Sequence, residues 1–432
     1  MVLQDGRYGM EGAGETTEGQ RSEIRGQRSE AKKAANKGGF ESRTREERQA
    51  AKGRRRGMKA KWTVMIYMAG DNNLDSAALD DIEELAQVGS SAKVNVLVQL
   101  DRDGDLRTRR FCITKGGGYR KDCIETFGET NIGDPKVLSD FINWAMEKYP
   151  AERYFLILWN HGSGWWDEPD RAFRLIKRNI GYDDHSGGDS LDNRELKDVL
   201  TRVSQGLGKR IELIGMDACL MTMVEVAYQI RESAIVMVGS EIEEPGDGWP
   251  YDQVIGILAK SPGSAPATVA RKIVSAYIAS YQGSGEPVTQ SALNLEKIGD
   301  VVKPLDLFSK ELITALDGNE RGALLKAIGS AWERSPRFFY DCYVDLYRFT
   351  KLLRDRFSGE GVRSAADELL LALRPGSKKA VISQKHLGIG VRSTYGISIY
   401  FPLSEINPKY RTLDFYQDCA WGKFIEKFLS CE

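Results

Sequence analysis

A mostly parallel β-sheet with helices on both faces is the fold class this sequence predicts, and three observations carry the prediction. Short, almost continuously apolar, β-rich runs recur at 62–68, 94–100, 154–159, 211–216 and 234–238, as strands covered on both faces read. Helical periodicity fills stretches between them, so strand and helix alternate and the crossovers are expected to be right-handed. At 432 residues, 28 % charged and 41 % hydrophobic, the chain has the composition of an ordinary soluble globular protein with one large core or two smaller ones.

In chain order, residues 1–60 stand apart. They hold fifteen Lys and Arg against nine Asp and Glu, although the whole chain carries a net charge of only -1. They lack apolar periodicity, and Gly19–Glu23 nearly repeats as Gly26–Glu30; such a segment cannot offset its ordering entropy and is expected to be a disordered basic tail. The apolar pattern begins directly after Met58, which leaves two readings, a translation start at Met58 or a flexible basic arm.

Residues 61–260 are the expected catalytic core. The first strand ends at Ala69-Gly70-Asp71, where Asp71, Asn72 and Asn73 offer caps to a helix carrying Leu74, Ala78, Ile82 and Leu85 at helical spacing. After the second strand, Cys112 and Cys123 flank Gly116-Gly117-Gly118 in an expected hairpin, and Asp134-Pro135 opens the next helix. The third strand leads to His161, followed by a polar, Gly-rich connection from Asp167 to Asp189. Asp192 and Glu195 have capping-box spacing for the following helix. The fourth strand leads to Cys219, then Leu220–Ile230 reads as helix and Ala234–Val238 as strand. Residues 261–432 read as a mainly helical addition, with a late strand at Ile397–Pro402 returning to the same sheet and a closing helix at Trp421–Leu429.

Several function classes drop out on composition. Near-neutral charge argues against nucleic acid as a partner. No apolar leader and no run of about 18 apolar residues is present, so export and membrane anchoring are not expected and the location reads as cytoplasmic. The six cysteines show no C-x-x-C pair and no zinc-ligand spacing, so neither metal nor cofactor is expected, and they read as reduced thiols. Asp183, Asp184 and Asp189 keep a hard cation such as calcium open, though without EF-hand spacing.

The chemistry concentrates in Asn160-His161-Gly162-Ser163-Gly164-Trp165 and Asp217-Ala218-Cys219, each just past a buried strand. Ligands bind outside the carboxyl ends of parallel strands, so a His and a Cys at two such ends meet in one cleft. A thiol nucleophile needs a proton partner, and imidazole titrates in the right range. A helix following Cys219 is expected to favour its thiolate. Of the three histidines, His185 lies in an acidic loop and reads as solvated, and His386 falls in a helical or loop region. Asp217 and Asp247 either line a pocket for a substrate Arg or Lys or serve as helix cap and turn residue; spacing alone slightly favours the latter.

Taken together, Trp62–Asn73, Asn160–Trp165, Asp217–Met221, Glu244-Pro245-Gly246-Asp247-Gly248-Trp249 and Ile397–Pro402 resemble the clostripain family of cysteine peptidases, which has a caspase-like α/β fold. The resemblance implies a Cys219/His161 dyad in which Cys219 attacks the scissile carbonyl and His161 protonates the leaving amine. It also implies an oxyanion hole from the amides of Gly162 and Cys219, and a pocket for basic P1 residues lined by Asp217 and Asp247. Protein or peptide substrates cleaved after Arg or Lys are the expected partners. The basic residues Arg171, Arg174, Lys177 and Arg178 make self-processing between the His and Cys strands an expectation. The competing readings are a catalytically silent caspase-like module that binds peptides or partners, and a thiol redox or acyl-transfer enzyme.

Overall fold

Alternation along the first strand, β1 (Ala60–Gly70), shows how the sheet divides the molecule. Trp62, Val64, Ile66 and Met68 enter one buried apolar cluster, and Met65, Tyr67 and Ala69 enter another on the opposite face. A strand with apolar residues on both sides has no solvent-facing side, so it belongs in the middle of a sheet. The computed structural model describes residues 59–166, 179–339 and 341–431. Residues 1–58 of the expected disordered tail and the basic residues 171–178 lie outside those residues; Ala60, counted in the tail, is instead buried and opens β1.

After β1 come α1 (Asp75–Val88), β2 (Val94–Arg102), β3 (Arg109–Cys112), β4 (Cys123–Thr126), α2 (Pro135–Lys148) and β5 (Ala151–Trp159). The hairpin β6 (Ile180–Asp183) and β7 (Asp189–Leu191) precedes α3 (Asn193–Leu207), β8 (Ile211–Asp217), α4 (Val224–Ile230) and β9 (Ala234–Gly239). Helices α5 (Tyr251–Lys260) and α6 (Pro266–Ser280) lead to β10 (Val288–Asn294). Then follow α7 (Gly299–Asp317), α8 (Arg321–Glu333), β11 (Arg337–Phe338), β12 (Tyr343–Asp345), α9 (Leu346–Arg356), α10 (Glu360–Leu373), β13 (Val381–Leu387), β14 (Ser398–Tyr400), α11 (Asp414–Asp418) and α12 (Trp421–Leu429).

Nine strands form one sheet in the order β13-β10-β9-β8-β5-β1-β2-β3-β4. The five central strands pair in parallel, and the two at each edge run antiparallel to their neighbours. Helices α1, α5 and α6 pack on one face; α2, α3 and α4, with most of the C-terminal helices, pack on the other. The predicted capping box is present, with the Asp192 carboxylate accepting from the amides of Arg194 and Glu195 at 2.8 Å each and Glu195 accepting from Asp192 N–H.

Three expectations are corrected. Ile397–Pro402 does not return to the main sheet: β14 pairs with β12 in a separate three-stranded sheet, and the chain after residue 261 instead adds β10 and β13 to the main sheet. His386 lies on β13, opposite Thr289. The helix after Cys219 begins at Val224, because Leu220 takes a left-handed φ of 66° and Thr222 N–H donates to Ser240 O at 2.9 Å. Cys123 pairs across the hairpin with Phe111, and all six cysteines are free thiols.

Candidate active site

Strand register brings the two motifs together. β5 and β8 are parallel neighbours with Trp159 opposite Asp217, and Asn160 N–H donates to Asp217 O at 3.2 Å. His161 and Cys219, each two residues further on, therefore leave the sheet side by side at its carboxyl end. Gly162 closes the gap: a Cβ there would collide with the Cys219 carbonyl oxygen and sit 3.0 Å from Cys219 N. Only glycine permits that backbone approach. Neither the Gly162 nor the Cys219 amide donates to an acceptor among the described residues, as an oxyanion hole requires.

His161 Nε2 lies 2.9 Å from Asn73 Oδ1. An amide oxygen accepts, so Nε2 carries the hydrogen in the neutral ring. Asn73 is held by its neighbours. Asn72 Nδ2 donates to Ala69 O at 3.0 Å and Tyr182 O at 2.9 Å, tying the end of β1 to β6. The sequence marked Asn73 only as a helix cap, yet no helix-capping bond forms there and its partner is the imidazole.

The loop that carries His161 is anchored by the C-terminal half of the chain. Tyr343 hydroxyl donates to Ser163 O at 2.6 Å, and the fully buried Trp165 packs edge-on against Tyr400 and Tyr410 at 4.8 and 4.7 Å between ring centroids. Ser163 Oγ bonds to Asn179, so the described residues on either side of 167–178 meet directly.

Cys219 departs from expectation in its ionisation. With the helix start five residues away, burial dominates and pushes the thiol up to about 12, which favours its neutral form. Glu244 N–H donates to Cys219 Sγ at 3.2 Å.

The turn that carries Asp247 lies against Asp217. The turn from Pro245 to Gly248, closed by Gly248 N–H donating to Pro245 O at 3.0 Å, folds across Asp217; a Cβ on Gly248 would stand 3.3 Å from Asp217 Oδ1. Asp217 is buried, accepts from Tyr251 hydroxyl at 2.7 Å, and is raised to about 6, mainly by burial. Glu244, which the sequence reading left without a role, faces the same carboxyl.

The acids beside Asn73 regroup. Asp71, Asp101, Glu129 and Asp183 bring carboxylate oxygens within 4.8 Å of one another, with three of the four residues buried. Burial lifts Asp101 to about 8. Asp184 and Asp189 do not join them: Asp184 accepts from Tyr182 hydroxyl at 2.9 Å and Asp189 from Asn131 at 2.6 Å. His185, expected to be solvated, is 43 % exposed yet contacts Asp71 Oδ1 through Nδ1 at 2.6 Å.

A sequence profile of the clostripain family matches residues 66–428. Clostripain of Hathewaya histolytica is 31 % identical over a stretch covering 47 % of this chain and 43 % of that protein, so the chain spans less than half the length of that relative. A secreted C11 cysteine protease from Bacteroides thetaiotaomicron, solved with an irreversible peptide inhibitor, superposes with a TM-score of 0.63 at 21 % identity, covering 84 % of this chain and 99 % of that one. An inactive zymogen C11 protease from Parabacteroides distasonis gives 0.61 at 22 % identity, with the same coverage. The two structures share the fold. The Bacteroides protease is secreted, which overturns the cytoplasmic expectation: that expectation rested on the lack of an apolar leader, and such a lack does not fix a compartment.

Proposed function

The chain belongs to the clostripain family, and from that premise we propose that it is a cysteine endopeptidase cleaving after Arg or Lys, with Cys219 as nucleophile and His161 as its proton partner. The observation that carries the reading is the backbone of Gly162 packed against that of Cys219, which supports a shared cleft for the residues that follow β5 and β8. In the reaction the imidazole takes the thiol proton as sulfur attacks the scissile carbonyl, the amides of Gly162 and Cys219 receive the oxyanion, and the same proton passes to the leaving amine. Water then hydrolyses the acyl-enzyme. Asp217 and Asp247 receive the P1 cation. Fluorogenic peptides differing only at P1, assayed with the wild type and Cys219→Ala, test the assignment.

Self-processing is part of the proposal. Arg171, Arg174, Lys177 and Arg178 lie between the His and Cys strands, and the P. distasonis relative is described as an inactive zymogen. Intact-mass analysis should show wild type split into two fragments with a new N-terminus between Ala172 and Asn179, and Cys219→Ala whole. The fragments should stay together, because β5 and β8 adjoin in one sheet. An active enzyme that remains a single chain would remove this step alone.

Cys/His chemistry needs no cofactor. We place a hard divalent cation of the calcium type, as a structural ion, on Asp71, Asp101, Glu129 and Asp183. Two observations support this: Asp71 Oδ2 and Asp101 Oδ2 are buried with no hydrogen-bond partner among the described residues, and the donors are all carboxylate oxygens, which hard cations take. When bound, the ion supplies positive charge that keeps these acids ionised. The same acids flank the Asn72-Asn73 turn that orients His161. A chelator should lower both the melting temperature and kcat, with calcium restoring both, while Asp101→Asn should respond to neither. Indifference of the wild type to chelator would refute the ion.

A further inference from the structure

Glu244 is where nucleophile and pocket meet. Its N–H donates to Cys219 Sγ at 3.2 Å and its carbonyl oxygen lies 3.9 Å from the same sulfur, so its backbone frames the thiol. Its side chain engages the Asp217 carboxyl, and Gln290 Nε2 on β10 approaches Glu244 Oε1 at 3.5 Å. Two carboxyls hydrogen-bond to each other only through a shared proton.

The surroundings hold the Trp249 indole and the Gln290 amide as neutral donors, with hydroxyls and acceptors but no compensating charge. Asp217 and Cys219 face Glu244 from the end of β8, Tyr251 from α5, Tyr277 from α6 and Gln290 from β10; Glu84 of α1 acts on Asp217. No Lys or Arg is among the groups that weigh most on either carboxyl. Glu244 Oε2 and Gln290 Oε1 are buried and find no donor among the described residues. Buried acceptors without donors, grouped around two acids, match a ligand that brings several N–H donors and a positive charge.

We propose that Glu244 is a third acid of the P1 pocket: in the empty enzyme it shares a proton with Asp217, and an incoming P1 cation displaces that proton to solvent and takes its place. The inference rests on the reading of Asp217 as a pocket acid. Burial, followed by the Asp217 charge, holds Glu244 well above the ordinary carboxylate range, which favours the shared proton in the empty pocket. Binding of a basic P1 residue therefore releases a proton, and by linkage its affinity rises with pH while the pair titrates. A neutral P1 residue releases none.

The test measures kcat and KM between about pH 5 and pH 9 for peptides with Arg or the isosteric neutral citrulline at P1. Proton release on binding the Arg peptide is read by calorimetry in two buffers, in the Cys219→Ala background to prevent turnover. Wild type should show 1/KM for Arg rising with pH, up to about tenfold per unit, and release close to one proton. Glu244→Gln should flatten that limb and abolish the release, so that the pH dependence of its Arg profile parallels that of its own citrulline profile. Gln290→Met removes the amide that helps the carboxylate ionise, so it should keep the limb but move it to higher pH. Retention of the wild-type limb and proton release in Glu244→Gln would overturn the proposal while leaving the pocket standing. A wild type that does not prefer Arg to citrulline at any pH would instead overturn the pocket reading itself.

Discussion

Cys219→Ala should reduce peptide hydrolysis to background, a loss of about 10³- to 10⁶-fold in kcat, and His161→Ala should do the same, with the double variant no worse than either single one. The non-additivity is the diagnostic result, because thiol and imidazole act in one step. A thiol that burial pushes up to about 12 is almost wholly protonated at pH 7. A small alkylating agent should therefore modify Cys219 slowly at neutral pH, and a peptide that fills the pocket and carries an electrophile should react far faster. Melting temperatures should move little, since both residues are only half-buried. Near-wild-type turnover in either single variant would refute the dyad, as would fast alkylation of the thiol in the unliganded enzyme for its neutral resting state.

Asp217→Asn should lower kcat/KM for Arg and Lys peptides by about 10²- to 10³-fold, the cost of losing one partner of a desolvated ion pair at about 2–5 kcal/mol. Neutral P1 peptides should change little. Stability should move the other way. Burial raises the folded Asp217 pKa to about 6, above its unfolded value, so folding disfavours the charged form and wild type loses stability as pH rises from the unfolded pKa to about 6. Asparagine carries no such penalty and can still accept from Tyr251. The variant should match or exceed the wild-type melting temperature above about pH 6, and an unchanged preference for basic P1 would place the pocket elsewhere.

The parts of this molecule that the sequence displayed are those whose burial is apolar. All five parallel strands were readable because residues such as Val96, Leu156 and Ile214 are buried whichever way they face. β10 was missed because its buried residues include Thr289, Gln290 and Ser291, each engaged by a distant partner: Ser240, Glu244 and Gly396. A polar strand buried by such bonds has no periodic apolar signature. The helix drawn from Leu220 was too long because a single left-handed residue interrupts it, and leucine gives no warning of that conformation. His161, Cys219 and Asp217 were singled out as candidates through short motifs at strand ends, and Asp247 through the turn-rich loop after the next strand. Asn73 and Glu244 were not, since their roles depend on partners 88 and 25 residues away.

The aromatic contacts that hold Trp165 have a genetic consequence. Loss-of-function substitutions selected blindly should fall into two separate stretches of the chain, one around the motifs and one at Tyr343, Tyr400 and Tyr410, whose rings and hydroxyls pin the backbone next to His161. The distant class would look like ordinary core damage on a linear map. It should betray itself by impaired turnover in protein that is still folded, and a version of the gene shortened before residue 343 should encode no working enzyme even with every motif intact.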